Sequence, residues 1–295
     1  KQIWKEIEEV LKVRNVSYQA FVSEYRGHAG KLAAEICAMD DNDICLVAVG
    51  GDGTANEVIN GITDFEKVRF GVIPTGSGND LARGLSLSKD PKNGAIHILN
   101  AMKKSREDTW CMDLGEVNFG EKKRLFAISA GIGLDALVCK KALKSTIKDI
   151  LNKIRLGKLT YLVLTVQSLF TMQTADAEIF FDREEGLQKK RMIFTAAMNF
   201  KAEGGGVPMA PAASACDGKL SFCEAAGIPK WRTFLCLPFL VAAKHTSIHG
   251  FSVTDAKDCT IRLSRPMVVH ADGEYCGEVT EVHFHCLPGK LRVLK

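Results

Sequence analysis

Apolar and polar positions along the chain fall into two regimes. Over residues 1–115, short continuous apolar runs alternate with stretches of helical period. Ile44–Val49 and Phe70–Ile73 are the runs, and Ser17–Val22 also reads as extended. Lys5–Val13, Ala29–Met39, Ala55–Ile62 and Gly94–Lys103 place apolar residues at helical spacing. Uninterrupted apolar strands between helices predict a parallel sheet covered on both faces, a doubly wound α/β domain. Around Thr109–Val117 the pattern changes. Arg124–Ala130, Ala175–Asp182, Met192–Asn199, Leu220–Glu224, Thr260–Leu263, Met267–Ala271 and Val279–Cys286 predict short strands of an antiparallel domain over 116–289. Helical insertions near 136–172 and 230–245 interrupt it.

The 295 residues, 46% hydrophobic and 25% charged, fit an ordinary globular protein. No apolar run reaches 18 residues, and Leu159–Phe170, the richest, contains Thr and Gln. The first residues read as helical, and no signal peptide is expected. Ten cysteines without CxxC spacing predict small buried hydrophobes in a reducing cytoplasm, not a zinc site. The net charge of +4 is local: Lys140–Lys158 holds seven basic residues and one acid, Asp149. Leu143, Ile147, Ile150, Leu151 and Ile154 form an apolar stripe beside those cations. Two readings stand for this segment: a helix resting on an anionic membrane, or one packed on the β domain with a solvated basic face. No aromatic or RNP-type pattern accompanies the charge, which argues against nucleic acid.

Two loops carry the candidate chemistry. Gly50-Gly51-Asp52-Gly53-Thr54 follows the first apolar run and opens a helix; Pro74-Thr75-Gly76-Ser77-Gly78-Asn79-Asp80 follows the second and leads into Leu81-Ala82-Arg83. Glycines let a backbone turn tightly against a ligand, and the amides at a helix start attract phosphate oxygens. Asp52 inside such a loop points to a phosphate accompanied by magnesium. Loops at the carboxyl ends of parallel strands are where α/β sheets bind ligands. The P-loop, the dinucleotide fingerprint and the protein-kinase motifs are absent. Gly-Asp-Gly is also a common turn, but two such loops 26 residues apart make a plain connection the weaker reading.

GGDGTANEVINGI and IPTGSGNDLARGL, with Asp272-Gly273-Glu274 near the C-terminus, resemble the diacylglycerol kinase catalytic domain family, which includes bacterial soluble diacylglycerol kinases, YegS-type lipid kinases, and sphingosine and ceramide kinases. The first motif is shared with NAD kinases; GSGNDLAR is more specific to the lipid kinases. The resemblance spans the chain. It implies a C-terminal β-sandwich, a last strand at Lys290–Leu294 returning to the first domain, and an opening strand with an Asn-Pro loop that this sequence lacks.

It also implies site roles. Gly50, Gly51, Gly53, Thr54, Ala55 and Asn56 would line the triphosphate of ATP, with Ser77 and Ser23 touching the nucleotide. Asp52, Asp80 and Asp113 would form a catalytic Mg2+ network, and Glu274 would be the general base. Asp217, with the backbone at Ser214 and Lys219, would hold a structural Mg2+. From the residues alone, Asp80 reads equally as the N-cap of a helix at Leu81, Asp113 as a polar strand residue, Asp272-Gly273-Glu274 as a tight hairpin turn, and 214–219 as a Gly-containing loop. His245 and His249, four apart, and His283 and His285, alternating on a strand, carry weak metal signals.

The expectation is a cytoplasmic ATP-dependent lipid kinase acting on a membrane lipid, diacylglycerol first, peripheral at the inner membrane face through 140–158, with a homodimer compatible. An NAD kinase-like enzyme and a non-catalytic lipid- or nucleotide-binding regulator are the alternatives.

Overall fold

A computed structural model describes residues 2–39, 41–144, 157–182 and 185–295. The expected basic helix at 140–158 therefore lies, from 145 to 156, outside the described residues. The chain divides into two units: residues 1–112 with 289–295, and residues 113–288.

In the first unit, strands β1 (Ile44–Gly50) and β2 (Val68–Pro74) pair in parallel from Ile44↔Val68 to Gly50↔Pro74, and Arg292–Val293 adds a parallel strand beside Arg69–Phe70. All seven residues of β2 are buried, as its unbroken apolar run requires. One face of the sheet packs on α1 (Gln2–Val13) and α5 (Pro91–Met102), where Ile7, Ile73, Ala95, Ile98 and Leu294 form a core with Cys45 and Val47 against it. On β1 the alternate positions Ile44 and Ala48 are buried as well, on the side of α3 (Asp52–Gly61), which in turn packs on α2 (His28–Cys37). Helices on both faces make the sheet doubly wound. A Cβ on Gly61 would collide with the carbonyl of Gly30, and one on Gly30 would lie 2.9 Å from the carbonyl oxygen of Glu57, so these two glycines bring α2 and α3 into backbone contact. Helix α5 begins as its sequence dictates: Asp90 accepts from Asn93 N at 2.8 Å, and Pro91 takes the first helical position. The short α4 (Asp80–Gly84) completes the unit. Ser17–Val22 is not a strand; it runs irregularly over exposed positions and pairs with no described strand, so nothing satisfies its ladder.

The second unit is an antiparallel β-sandwich domain. Its central strand, β11 (Asp258–Ala271), pairs along Cys259–Leu263 with β6 (Ala175–Phe181) and along Val269–Ala271 with β5 (Ser129–Gly133). Beyond β5 come β8 (Phe194–Met198), β9 (Leu220–Ala225) and β10 (Phe251–Ala256); β7 (Leu187–Met192) edges β6, and β3 (Trp110–Phe119) pairs with β4 (Lys122–Phe126). Phe126, Phe222, Phe284, Ile132 and Ile179 are fully buried in its core.

The expected strands 260–263 and 267–271 are one strand with a register shift between Arg262 and Met267, and those at 279–286 and 290–294 are one strand, β12 (Glu274–Val293). The expected Arg124–Ala130 is instead two strands, because the amides of Ala127, Ile128 and Ser129 leave the ladder for the carboxylate of Asp272, at 2.8, 2.8 and 3.1 Å. Met192–Asn199 likewise divides at Ile193, whose N–H goes to Ala225 O. Strand β10 has no counterpart in the sequence reading. The insertions are α6 (Leu134–Lys144), α7 (Gly157–Thr171) and α8 (Lys230–Val241), the last followed by a 3-10 turn at His245–Ser247.

Candidate active site

The two glycine loops of the first unit touch. Gly51 and Gly76 pack backbone to backbone: a Cβ on Gly76 would lie 2.7 Å from the Cα of Gly51, and one on Gly51 3.3 Å from the Cα of Gly76. Thr75 N donates to Gly50 O at 2.8 Å. Asp52 completes the junction. Its Oδ2 accepts from Asp80 N at 3.0 Å and its Oδ1 from Leu81 N at 3.1 Å, so the acid of the first loop caps the helix of the second.

That corrects the capping expectation for Asp80. The N-cap position of α4 is Asn79, in the left-handed region at φ 53, which ties its own loop through Gly76 N (3.0 Å) and Gly76 O (2.8 Å). Asp80 is the first helical residue, buried and ion-paired with Arg83, which also donates to Gly78 O at 2.9 Å. Helix α3 starts differently: Gly51 precedes it with no side chain to cap, so the first-turn amides of Asp52, Gly53 and Thr54 have no acceptor inside the helix. Ala55 and Asn56 are buried in that first turn, and Ser77 is exposed in the second loop. Ser23 is exposed in the irregular segment before α2; a few residues on, Gly27 N donates to Glu57 Oε1 of α3 at 2.8 Å, and Tyr25 stacks on His28 at 4.5 Å.

In the second unit, Asp113 is buried on β3, and its Oδ2 accepts from Gly218 N at 2.7 Å while its own N–H donates to Ala215 O at 2.8 Å. The loop that carries the expected cation residues is therefore fastened, through Ala215 and Gly218, to a residue expected in the catalytic network. In that loop Asp217 is exposed and turns Oδ1 onto Lys219 N at 3.1 Å, and Ser214 Oγ lies 3.5 Å from Cys216 Sγ. Asn199 fixes the same strand, donating to Asp113 O (2.7 Å) and Ala127 O (2.9 Å).

Glu274 opens β12 directly after a two-residue turn. Ala271 pairs with Glu274 across Asp272 (φ 47) and Gly273 (φ 81), the two left-handed positions of a type I′ hairpin. The turn is anchored twice. Asp272 holds three amides of 127–129, and Gly273 N donates to His270 Nδ1 at 3.2 Å. His270 is buried, and its Nε2 lies 3.1 Å from Asp135 Oδ2. Burial alone would lower the His270 pKa; the hydrogen bond and the charge of Asp135 outweigh it, and the net shift is upward. Ser129 Oγ donates to Glu203, and Asp135, Glu203 and His270 bring one ligand atom each to within 4.8 Å of one another. Gly131 makes the room, because a side chain there would collide with Asp135.

The sequence reading missed Asp135, Glu203 and His270, and only Gly131-Ile132-Gly133-Leu134-Asp135, a glycine-rich strand end running into a helix, hints at them. The weak histidine signals resolve structurally. His245 is buried in the 3-10 turn, where its Nε2 lies 2.9 Å from Met209 O, and His249 is exposed; His283 and His285 both lean on Asp258 Oδ1, at 3.3 and 2.6 Å.

Comparison with known proteins matches both units. Residues 1–112 match the profile described as diacylglycerol kinase catalytic domain, and residues 129–295 that described as YegS C-terminal NAD kinase beta sandwich-like domain. The chain is 30% identical over 297 residues to YtlR of Bacillus subtilis (strain 168), whose name places it with the lipid kinases, covering 99% of this chain and 94% of that one. It is 28% identical over 251 residues to a diacylglycerol kinase of the same organism, covering 83% of this chain and 75% of that one. Among solved structures, a Bacillus anthracis str. Sterne protein with a diacylglycerol kinase designation superimposes with a TM-score of 0.76 at 21% identity, covering 99% of this chain and 91% of that one. An NAD kinase from Archaeoglobus fulgidus, in complex with ATP, superimposes with a TM-score of 0.54 at 15% identity, covering 100% and 90%. At those identities the two structures speak for the fold.

Proposed function

Because the chain belongs to the diacylglycerol kinase-like lipid kinase family, we propose that it transfers the γ-phosphate of ATP to the hydroxyl of a lipid, diacylglycerol in the first instance. The observation that carries this reading is the junction of the two glycine loops. Backbone packing of Gly51 on Gly76 and the hold of Asp52 on α4 fix both loops as one rigid element, while the uncapped start of α3 keeps donor amides for phosphate oxygens.

In the reaction the lipid hydroxyl oxygen bonds to the γ-phosphorus, the bond from that phosphorus to the β–γ bridging oxygen breaks, and ADP leaves. Glu274 takes the hydroxyl proton. Gly50, Gly51, Gly53, Thr54, Ala55 and Asn56 hold the triphosphate, and Ser77 and Ser23 contact the nucleotide. Magnesium supplies neutralisation of the phosphate charge. Asp52, which accepts two amides, and Asp80, paired with Arg83, are the carboxylates that would hold the ion. Asp113 contributes through the loop it fastens, and Asp217, with the backbone at Ser214 and Lys219, is assigned the structural ion. The protein works at a membrane surface as a peripheral enzyme.

The test is transfer of label from γ-labelled ATP to a panel of purified lipids, with NAD as a parallel acceptor. Labelled phosphatidic acid from diacylglycerol is expected. Label on NAD alone would move the chain to the NAD kinase chemistry of its structural neighbour, and nucleotide binding with no transfer to any acceptor would leave a non-catalytic regulator.

A further inference from the structure

Helix α8 carries apolar side chains on two opposite sides, and only one of them is covered. Thr233, Cys236 and Leu240 are buried against the second unit. Trp231, Phe234, Leu235 and Phe239 recur at i, i+3, i+4 and i+8 on the opposite side, and all four are exposed, Trp231 to 60% and Leu235 to 56%. Helix α7 extends the same surface. Phe170 and Phe234 place their rings 6.0 Å apart, and Lys230 Nζ donates to Phe170 O at 3.3 Å and to Met172 O, closing the end of α7 with a cation. Leu162 and Val163 of α7 are exposed beyond Phe170. Soluble chains seldom leave so many aromatic and aliphatic side chains together in water.

The charges that the two helices themselves carry are only positive. The sequence has no Asp or Glu between Glu224 and Asp255, and none between Asp149 and Asp176, so neither helix carries an acid. Arg232 and Lys244 are exposed at the edge of α8. No helix among the described residues is long and apolar enough to cross a membrane, so an apolar face of this kind meets a bilayer from the side. A second copy of the chain fits less well, since a two-fold contact over this face would set the same cations against each other with no acid on either helix to answer them.

We propose that the outer face of α7 and α8 docks on an anionic lipid bilayer. Trp231, Phe234, Leu235 and Phe239 enter the interfacial layer, where an indole ring is at home, and Arg232 and Lys244 meet the headgroups. The surface deepens the lipid-kinase reading, on which it rests for its purpose: an acceptor that resides in a bilayer is collected there.

The test is sedimentation of the full chain with vesicles of phosphatidylcholine alone or mixed with phosphatidylglycerol, alongside ultracentrifugation without lipid. Strong partition onto the mixed vesicles is expected. The double variant Trp231→Ser with Leu235→Ser should reduce it by at least about tenfold, and Arg232→Gln or Lys244→Gln by about fivefold each, with unchanged thermal unfolding because all four positions are exposed. Equal partition of wild type and double variant overturns the proposal. So does a lipid-free dimer that the double variant dissolves, or wild-type binding equally tight on phosphatidylcholine alone. Turnover on a dispersed short-chain diacylglycerol should survive in the double variant while turnover on vesicle-embedded acceptor falls. A wild type that phosphorylates neither acceptor yet sediments as expected removes the kinase reading and supports the docking surface.

Discussion

Asp52 caps Asp80: the carboxylate of the first glycine loop accepts the N–H of Asp80 at 3.0 Å and that of Leu81 at 3.1 Å. Removing it uncaps α4 and unlocks the junction at once. Asp52→Ala should cost about 1–3 kcal/mol of stability, the worth of backbone bonds to a charged cap. It should also lower phosphoryl transfer steeply. Denaturant midpoints and initial rates measured on one preparation check both. A variant as stable as the wild type would show that the cap contributes nothing.

Glu274 sits at the mouth of the hairpin, half-buried; the proposed reaction gives it the proton of the attacking hydroxyl. Glu274→Gln keeps size and shape, so its stability should stay within about 0.5 kcal/mol of wild type. Its kcat should fall by about 10²–10⁴, the usual worth of a positioned base. Steady-state kinetics with diacylglycerol as acceptor give the answer; wild-type turnover would remove Glu274 from the reaction.

Asp272 is the structural counterpart two residues earlier, in the same hairpin turn. Three amides converge on its carboxylate, and Asp272→Ala leaves them without an acceptor in a largely buried place. The expected loss is about 3 kcal/mol or more. Amide hydrogen exchange should quicken at Ala127, Ile128 and Ser129 ahead of the neighbouring strands. Unchanged protection there would contradict the anchoring role.

His245 makes stability depend on pH. Burial lowers its pKa from the ordinary 6.5, and the bond to Met209 O only partly offsets this, while Nδ1 has no partner among the described residues. The unfolded chain therefore takes up the proton first. The stabilisation is complete above about pH 6.5 and is lost progressively as pH falls through the lowered native value. In His245→Gln this contribution vanishes, and the acid side of the profile should flatten relative to wild type. Urea midpoints for both proteins from about pH 5 to about pH 8 provide the comparison.

Much of this architecture was legible in the chain because several signals coincided. At 44–62 and 68–84, an apolar run, a loop of small residues and a helical period follow one another, and each supports the same reading. The hairpin at Asp272-Gly273 was legible for the same reason, since those two residue types tolerate the left-handed backbone found there. What escaped is long-range. Nothing local to Arg124–Ala130 announces that an aspartate far along the chain will take its amides and end the strand. The meeting of Asp135, Glu203 and His270 depends on which strands become neighbours, and Gly131 only permits it. Ser17–Val22 shows the opposite failure: β propensity without a partner strand produced no strand.

Gly30 and Gly61 give the first glycine loop a control point at the far end of α3. Because α2 and α3 touch there through bare backbone, even a methyl group at either position forces the helices apart. Helix α3 is a stiff lever whose other end begins at Asp52. Widening that crossing would tilt Asp52 away from α4 and disturb the grip of Glu57 on Gly27. Variation at two unremarkable glycines would then be felt as a loosened junction between the two glycine loops, with every residue of those loops unaltered.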